Sequence, residues 1–324
     1  MRIAWFSEMG FSGQISKDYN NLKSDVALIS CSGATHIPYN FPIKTEEFSN
    51  FDFVMVNCTR KFFTEPQLIN RIDEIKKHCK IGFFQEGPIY DWQDWEPREK
   101  DLWRSVMKKI DIYFCSNQRD IPYYMEYVND GVPVKWLKSP INIEKINKHI
   151  TDYKHRHGVL VGGTGCIWYN GDTSIDIADS INSVIFIPAM GRLKNTEPIY
   201  FSRLKNKTYI LPYSDFDGWI ENISNLKYAV HMMPTYAAGS FHTNMASLGI
   251  PCIGSEEIDT QRILFPELSL HTYRDIKKGK QLLKRLKEDK EFYHKVSKYA
   301  KEKVREWDLD IVANELKKDI SDIL

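Results

Sequence analysis

The stretch Gly239-Ser240-Phe241-His242-Thr243-Asn244-Met245-Ala246-Ser247-Leu248-Gly249-Ile250-Pro251-Cys252-Ile253-Gly254 decides how the rest of the chain is read. An apolar, strand-like run over 228–233 leads into it through Pro234-Thr235-Tyr236. A Gly-Ser turn then opens a helix, predicted over 242–248, whose first turn carries His242, Thr243 and Asn244. Gly249 ends that helix, as glycine commonly does. Pro251 starts the next apolar run, over 251–254. Strand, helix, strand is a crossover unit, and strands joined by such a crossover run parallel. A helix that begins in this way offers free amides and the positive end of its dipole to an anion. Gly239, Ser240, His242, Thr243 and Asn244 are therefore candidate phosphate- or ribose-binding residues. The plainer role for His242 is to cap the helix.

The same alternation extends in both directions. Strands are predicted over 2–6, 26–30, 53–57, 81–85, 112–115 and 134–137, with helices over 65–78, 96–108 and 121–129. The segment 142–157 is polar, rich in His and Lys, and reads as a linker. The pattern then restarts, with strands over 158–161, 183–187, 209–211, 228–233 and 251–254. Helices are predicted over 172–180, 217–223, 242–248, 276–288 and 290–305. A last helix over 308–323 has apolar residues at Ile311, Val312, Leu316, Ile320 and Ile323, a helical spacing. Asp308 or Asp310 can cap it. Strands alternating with helices imply parallel sheets covered on both faces. The expected organisation is an α/β chain of two Rossmann-like domains, residues 1–145 and 157–305, with 308–324 added to the first.

Composition agrees. A length of 324 residues corresponds to about two domains at roughly 150 residues each. Hydrophobic residues make up 42% and charged residues 27%, which excludes a disordered or fibrous chain. The net charge of +1 gives no global case for nucleic acid, although a local basic face is compatible with it. No apolar run is long enough to span a membrane, and the first residues lack the pattern of a signal peptide. Cys31, Cys58, Cys79, Cys115, Cys166 and Cys252 are scattered without metal-ligand spacing, so reduced thiols, a cytoplasmic location and no metal site are expected.

Doubly wound sheets bind ligands beyond the carboxyl ends of their strands, so the loops there hold the other candidates. After the first strand come Ser7-Glu8-Met9-Gly10-Phe11-Ser12-Gly13, where Glu8 can bind hydroxyls. After the fourth come Gln85-Glu86-Gly87-Pro88-Ile89-Tyr90-Asp91-Trp92-Gln93-Asp94-Trp95. The strand delivers Glu86 into a Gly-Pro turn, a position suited to a general base. Tyr90 and Trp92 supply flat faces, and Asp91 and Asp94 supply carboxylates for hydroxyl groups. In the second half, Gly162-Gly163-Thr164-Gly165 follows a strand, and the amides around Gly163 and Thr164 can cradle a diphosphate.

These pieces together resemble the glycosyltransferases of the GT-B fold, in which two facing Rossmann-like domains enclose a nucleotide-sugar cleft. The most specific part is Gly239 to Gly254, similar to their donor-binding helix, with Ser247-Leu248-Gly249-Ile250-Pro251-Cys252-Ile253 matching the usual ending. Many retaining members carry two glutamates separated by seven residues here. The equivalent places hold Tyr236 and Asn244, so the carboxylate grip on the donor ribose is replaced. A narrower likeness is to phage DNA β-glucosyltransferases, in 80–95, where Glu86 falls near the catalytic aspartate, and in 256–263. Their phosphate-binding arginines have no clear counterpart after Gly163; Arg192 and Lys194 are the nearest basic residues.

The resemblance implies transfer of a sugar from a UDP-linked donor to an acceptor hydroxyl. Glu86 would be the base. Gly163, Thr164, Arg192, Tyr236, Gly239, Ser240, His242, Thr243 and Asn244 would bind donor. Glu8, Tyr90, Asp91, Trp92 and Asp94 would bind acceptor. The nucleotide-sugar is a co-substrate, and no cofactor or metal is expected. The acceptor is either a modified base in phage DNA, met by Arg60, Lys61, Arg98, Lys100 and Arg104, or a surface glycan or small molecule. A nucleotide-sugar epimerase and a non-catalytic sugar-nucleotide binding protein are the competing functions. The terminal helix should cross back onto the first domain.

Overall fold

A computed structural model describes residues 1–40, 44–64, 66–85, 89, 91–163, 169–189, 202, 204–235 and 237–324. Six strands form the first sheet: β1 (Ile3–Ser7), β2 (Thr35–Pro38), β3 (Phe53–Asn57), β4 (Lys80–Gln85), β5 (Ile112–Cys115) and β6 (Val134–Trp136). Helices α1 (Ser24–Ser32), α2 (Arg60–Thr64), α3 (Pro66–Ile75), α4 (Pro97–Met107) and α5 (Ile121–Met125) connect them. After α6 (Ile143–Asn147) the second sheet is built from β7 (His157–Val161), β8 (Ile185–Pro188), β9 (Thr208–Leu211), β10 (Leu226–His231), β11 (Cys252–Ser255) and β12 (Ser269–Leu270). Its helices are α7 (Gly171–Ala178), α8 (Phe216–Ile223), α9 (Ser240–Leu248), α10 (Asp259–Leu264), α11 (Ile276–Glu288) and α12 (Lys290–Lys303), and α13 (Leu309–Ser321) ends the chain. All pairings within these two sheets are parallel.

The central strands of the first sheet are continuous apolar runs because both faces are covered. Ala4, Phe6, Val54, Val56 and Phe83 face one core, while Trp5, Phe53, Met55 and Phe84 face another. The second core is completed by α1 and by Val312, Ala313, Leu316 and Ile320 of α13. The terminal helix thus crosses back onto the first domain. Asp308 caps it, accepting from the Asp310 amide at 3.1 Å.

One strand expectation fails. Residues 26–30 are not a strand but the middle of α1, every residue of which is buried. A short apolar run buried on all sides has no periodicity to separate helix from strand. Two other signals mark the helix: Asp25 in its first turn, and Gly33 at φ +70° after its last residue. The strand of this unit is β2, a few residues further on.

The strand orders locate the ligand crevices. The first sheet has the order β2-β1-β3-β4-β5-β6 and the second β12-β11-β10-β7-β8-β9. The first reverses direction between β1 and β3, as in flavodoxin-like sheets, and the second between β7 and β10, the Rossmann arrangement. Side chains and backbone from the carboxyl ends of both sheets meet. Gln118, after β5, donates its amide to Asp259 at 2.5 Å, and Arg119 pairs with Glu257 at 2.8 Å. Asn20 donates to Asp215 at 2.8 Å and accepts from the Asp217 amide at 2.8 Å.

Candidate functional site

In the second domain the crevice opens between the ends of β7 and β10. Gly162 follows β7 and donates its amide to Val230 at 2.8 Å. A Cβ on Gly162 would lie 2.4 Å from the His231 ring, and one on Gly163 would lie 2.3 Å from Tyr169. Gly163 also has φ +72°. The turn therefore requires glycine for both space and conformation. His231 ends β10, stacks on His242 with centroids 5.1 Å apart, and meets the edge of Phe241 at 4.8 Å. One imidazole layer thus joins the glycine turn to the start of α9.

Both imidazoles are uncharged at neutral pH. Burial pushes His231 down to about 3. Burial, and then the proximity of His231, hold His242 well below the ordinary histidine range. Both nitrogens of His231 and Nε2 of His242 lack a hydrogen-bond partner among the described residues. Nδ1 of His242 lies 3.3 Å from the Thr260 hydroxyl. At the start of α9 the Gly239 carbonyl accepts from His242 and Thr243 at 3.0 and 3.4 Å. The amides of Ser240 and Phe241 precede these and have no intrahelical partner, the usual condition of a helix N-terminus.

Between the domains, Ser240, Phe241 and Asn244 line a cavity of about 120 Å³ opposite Tyr19, Lys23 and Ser24 of the first domain. Asn244 is 6% exposed, and its Oδ1 is unpartnered among the described residues. Such a buried acceptor carries a penalty that a ligand donor would relieve.

The first-domain crevice lies between the ends of β1 and β3. Asp25, at the start of α1, accepts from the Val26 amide at 2.9 Å and from Asn57 at 3.5 Å. Tyr39 donates to the Asn57 carbonyl. Burial is the main reason that the Asp25 carboxyl is raised above its usual range, and Glu8 adds to it. The Asn57 Oδ1 is buried without a partner among the described residues. Ser7 and His36 form a hydrogen bond of 2.8 Å beside it.

The structure brings Gly163, Gly239, Ser240 and Asn244 to the second crevice and Glu8 to the first. Three expectations need correction. The side chains of His242 and Thr243 are fully buried and turned inward from α9, and the Thr243 hydroxyl donates to the Ser240 carbonyl at 2.8 Å. Trp92 offers no open face: it is 4% exposed and stacks flat on Trp103 at 4.6 Å, part of an aromatic core with Tyr127. The basic face is partly neutralised, because Arg60 pairs with Glu99 at 3.1 Å and Arg104 with Asp101 at 2.9 Å. Asp94 is exposed. Glu86, Tyr90, Thr164, Cys166, Arg192, Lys194 and Tyr236, and the side chain of Asp91, lie outside the described residues.

Asp25, Asn57 and His231 were not singled out from the sequence. Asp25 was hidden by the strand reading of 26–30. His231 could have been found, since it is the one polar residue inside the apolar run 228–233. Among the described residues, no group of three or more His, Cys, Asp or Glu is placed to hold a metal ion. No helix among them is long and apolar enough to cross a membrane.

This architecture is the GT-B fold, two Rossmann-like domains with their strand ends opposed. No family model and no curated protein matches the chain. Solved structures are similar over its whole length. Anabaena HepE in complex with UDP-glucose has a TM-score of 0.74 at 9% identity, covering 99% of this chain and 100% of that one. Sucrose-phosphate synthase from Thermosynechococcus elongatus has a TM-score of 0.71 at 10% identity, covering 99% of each. A trehalose-6-phosphate synthase, studied for glycosyl transfer with retention, has a TM-score of 0.66 at 10% identity, covering 99% and 94%. The narrower likeness to DNA-modifying enzymes gains no support from these.

Proposed function

We propose that the chain is a glycosyltransferase that takes a sugar from a UDP-linked donor. The observation that carries this is the convergence at the β7–β10 switch point. There a glycine turn, a buried imidazole pair and the N-terminal amides of α9 meet beside a cleft, in the fold that holds UDP-glucose in HepE. Backbone amides and a helix N-terminus suit a diphosphate, both in the ground state and as it departs. The acceptor is a glycan or a small molecule rather than DNA, a choice supported by the pairing of Arg60 and Arg104 with carboxylates.

For the chemistry, the reading assigns Glu86, beyond β4, as general base of an inverting transfer. A second assignment has its own support: Asp25 is a buried, raised carboxyl at the first-domain switch point. The test begins with titration of UDP and UDP-glucose by calorimetry, followed by transfer to a panel of sugar acceptors. Donor binding with turnover only when acceptor is present is expected. Consumption of donor alone would indicate an epimerase, and binding without turnover a non-catalytic protein. A product that keeps the donor's anomeric configuration would overturn the inverting assignment.

A further inference from the structure

Beside the C-terminal end of α9, the segment 143–150, which includes α6, and α12 with the residues after it line a recess of about 630 Å³, within the size range of small-molecule sites. His294, Lys298, Lys301 and Arg305 line it from consecutive turns, at spacings that place them on one face. Among the described residues the one lining carboxylate, Glu302, stands 4.0 Å from Lys298, and Lys301 and Arg305 have no carboxylate partner. The stem of Lys301 is held close over Gly249, where a Cβ would come within 2.9 Å of it. Arg156 behind it is spent on the last carbonyls of α9, donating to Gly249 at 2.8 Å and to Leu248. Burial first, and then the charges of Arg156 and Arg305, lower the Lys301 pKa. Ser247 also lines the recess, 2% exposed, and its hydroxyl has no partner among the described residues. Ile143 and Ile150 form an apolar flank.

We propose that this recess binds a small phosphomonoester with an apolar body, its phosphate between Lys301 and Arg305 and its body against Ile143 and Ile150. An inorganic anion would leave the apolar flank unused, and a neutral molecule would leave the cations unpaired. The site is separate from the interdomain cleft and does not depend on the donor assignment.

The test titrates phenyl phosphate, inorganic phosphate and phenol into the full chain by calorimetry at fixed ionic strength. Phenyl phosphate should saturate at one equivalent and bind about tenfold tighter than inorganic phosphate, with phenol showing no binding. The double variant Lys301→Gln/Arg305→Gln should weaken phenyl phosphate about tenfold or more, the scale of losing a charge-assisted partner. Lys318→Gln on α13 should leave it unchanged. Should the double variant unfold, Ile150→Glu places a carboxylate at an exposed position of the flank and should abolish binding by itself. Equal affinity in the variants and the parent, indistinguishable binding of the two phosphates, or no saturable binding would each overturn the proposal.

Discussion

The two crevices differ in what they offer a substrate. The β7–β10 crevice presents glycine backbone, a helix N-terminus and imidazoles that burial keeps neutral. Nothing in that set repels an anion. The β1–β3 crevice presents Glu8, the raised carboxyl of Asp25 and the Asn57 Oδ1, which has no partner among the described residues. That set accepts hydrogen bonds and can take a proton. In the proposed function, one fold used twice thus supplies a half that would hold a diphosphate and a half that would receive a hydroxyl. The difference lies in a few residues at strand ends rather than in the sheets.

The largest expected effect follows from this division. Glu86→Gln should lower kcat about 10²–10⁴-fold, the contribution of a positioned base, and leave UDP affinity unchanged. If that loss instead follows Asp25→Asn, the base belongs to the switch point and not to the β4 loop. A loss of UDP affinity in either variant would blur the division between the two halves.

Next is the entry to α9. Gly239 has φ +70°, and a Cβ there would lie 1.8 Å from the Thr260 hydroxyl. Gly239→Ala should cost about 3 kcal/mol in stability, combining a strained backbone with overpacking. Chemical denaturation measures it, and an unchanged midpoint would mean that α9 can shift its start freely. Much of this was legible in the sequence. Glycines and proline punctuate 239–254, and apolar runs mark the sheet strands, because burial on both faces confines polar residues mostly to the strand ends. The inward turn of His242 was not legible, since no local pattern says which side of a short buried helix faces the cleft. Trp92 misled for a related reason: an aromatic next to carboxylates reads as a stacking face, but Trp103 from α4 covers it.

A smaller effect should separate space-filling from binding at the imidazole pair. Asn244→Ala and His231→Phe remove polar atoms that have no partner among the described residues. If these atoms serve the donor, UDP affinity should fall by about 1–3 kcal/mol in each. Full UDP affinity in both variants would reduce the pair to packing and leave the α9 amides as the anion site.

The smallest effect is expected where the two halves touch. Asp120, after β5, and Asp259, at the start of α10, are 2% and 1% exposed. Asp259 is paired with Arg262, accepts from the Gln118 amide, and acts on Asp120 through its charge. Burial and that neighbouring charge push Asp120 up to about 7. The unfolded chain loses the same proton near pH 4. Between these values the folded state binds more protons, so this contribution to stability is full below about pH 4 and is lost as pH rises through about 7. The imidazole pair acts with the opposite sign. Its folded pKa values are depressed, so its contribution is present above about 6.5 and is lost as pH falls. Asp120→Asn removes only the first dependence. The difference in urea midpoint, variant minus parent, should be near zero below about pH 4 and rise to a plateau above about pH 7. A difference that stays flat across this range would show that the domain junction releases its proton elsewhere, and that the charge on Asp259 is not felt at Asp120.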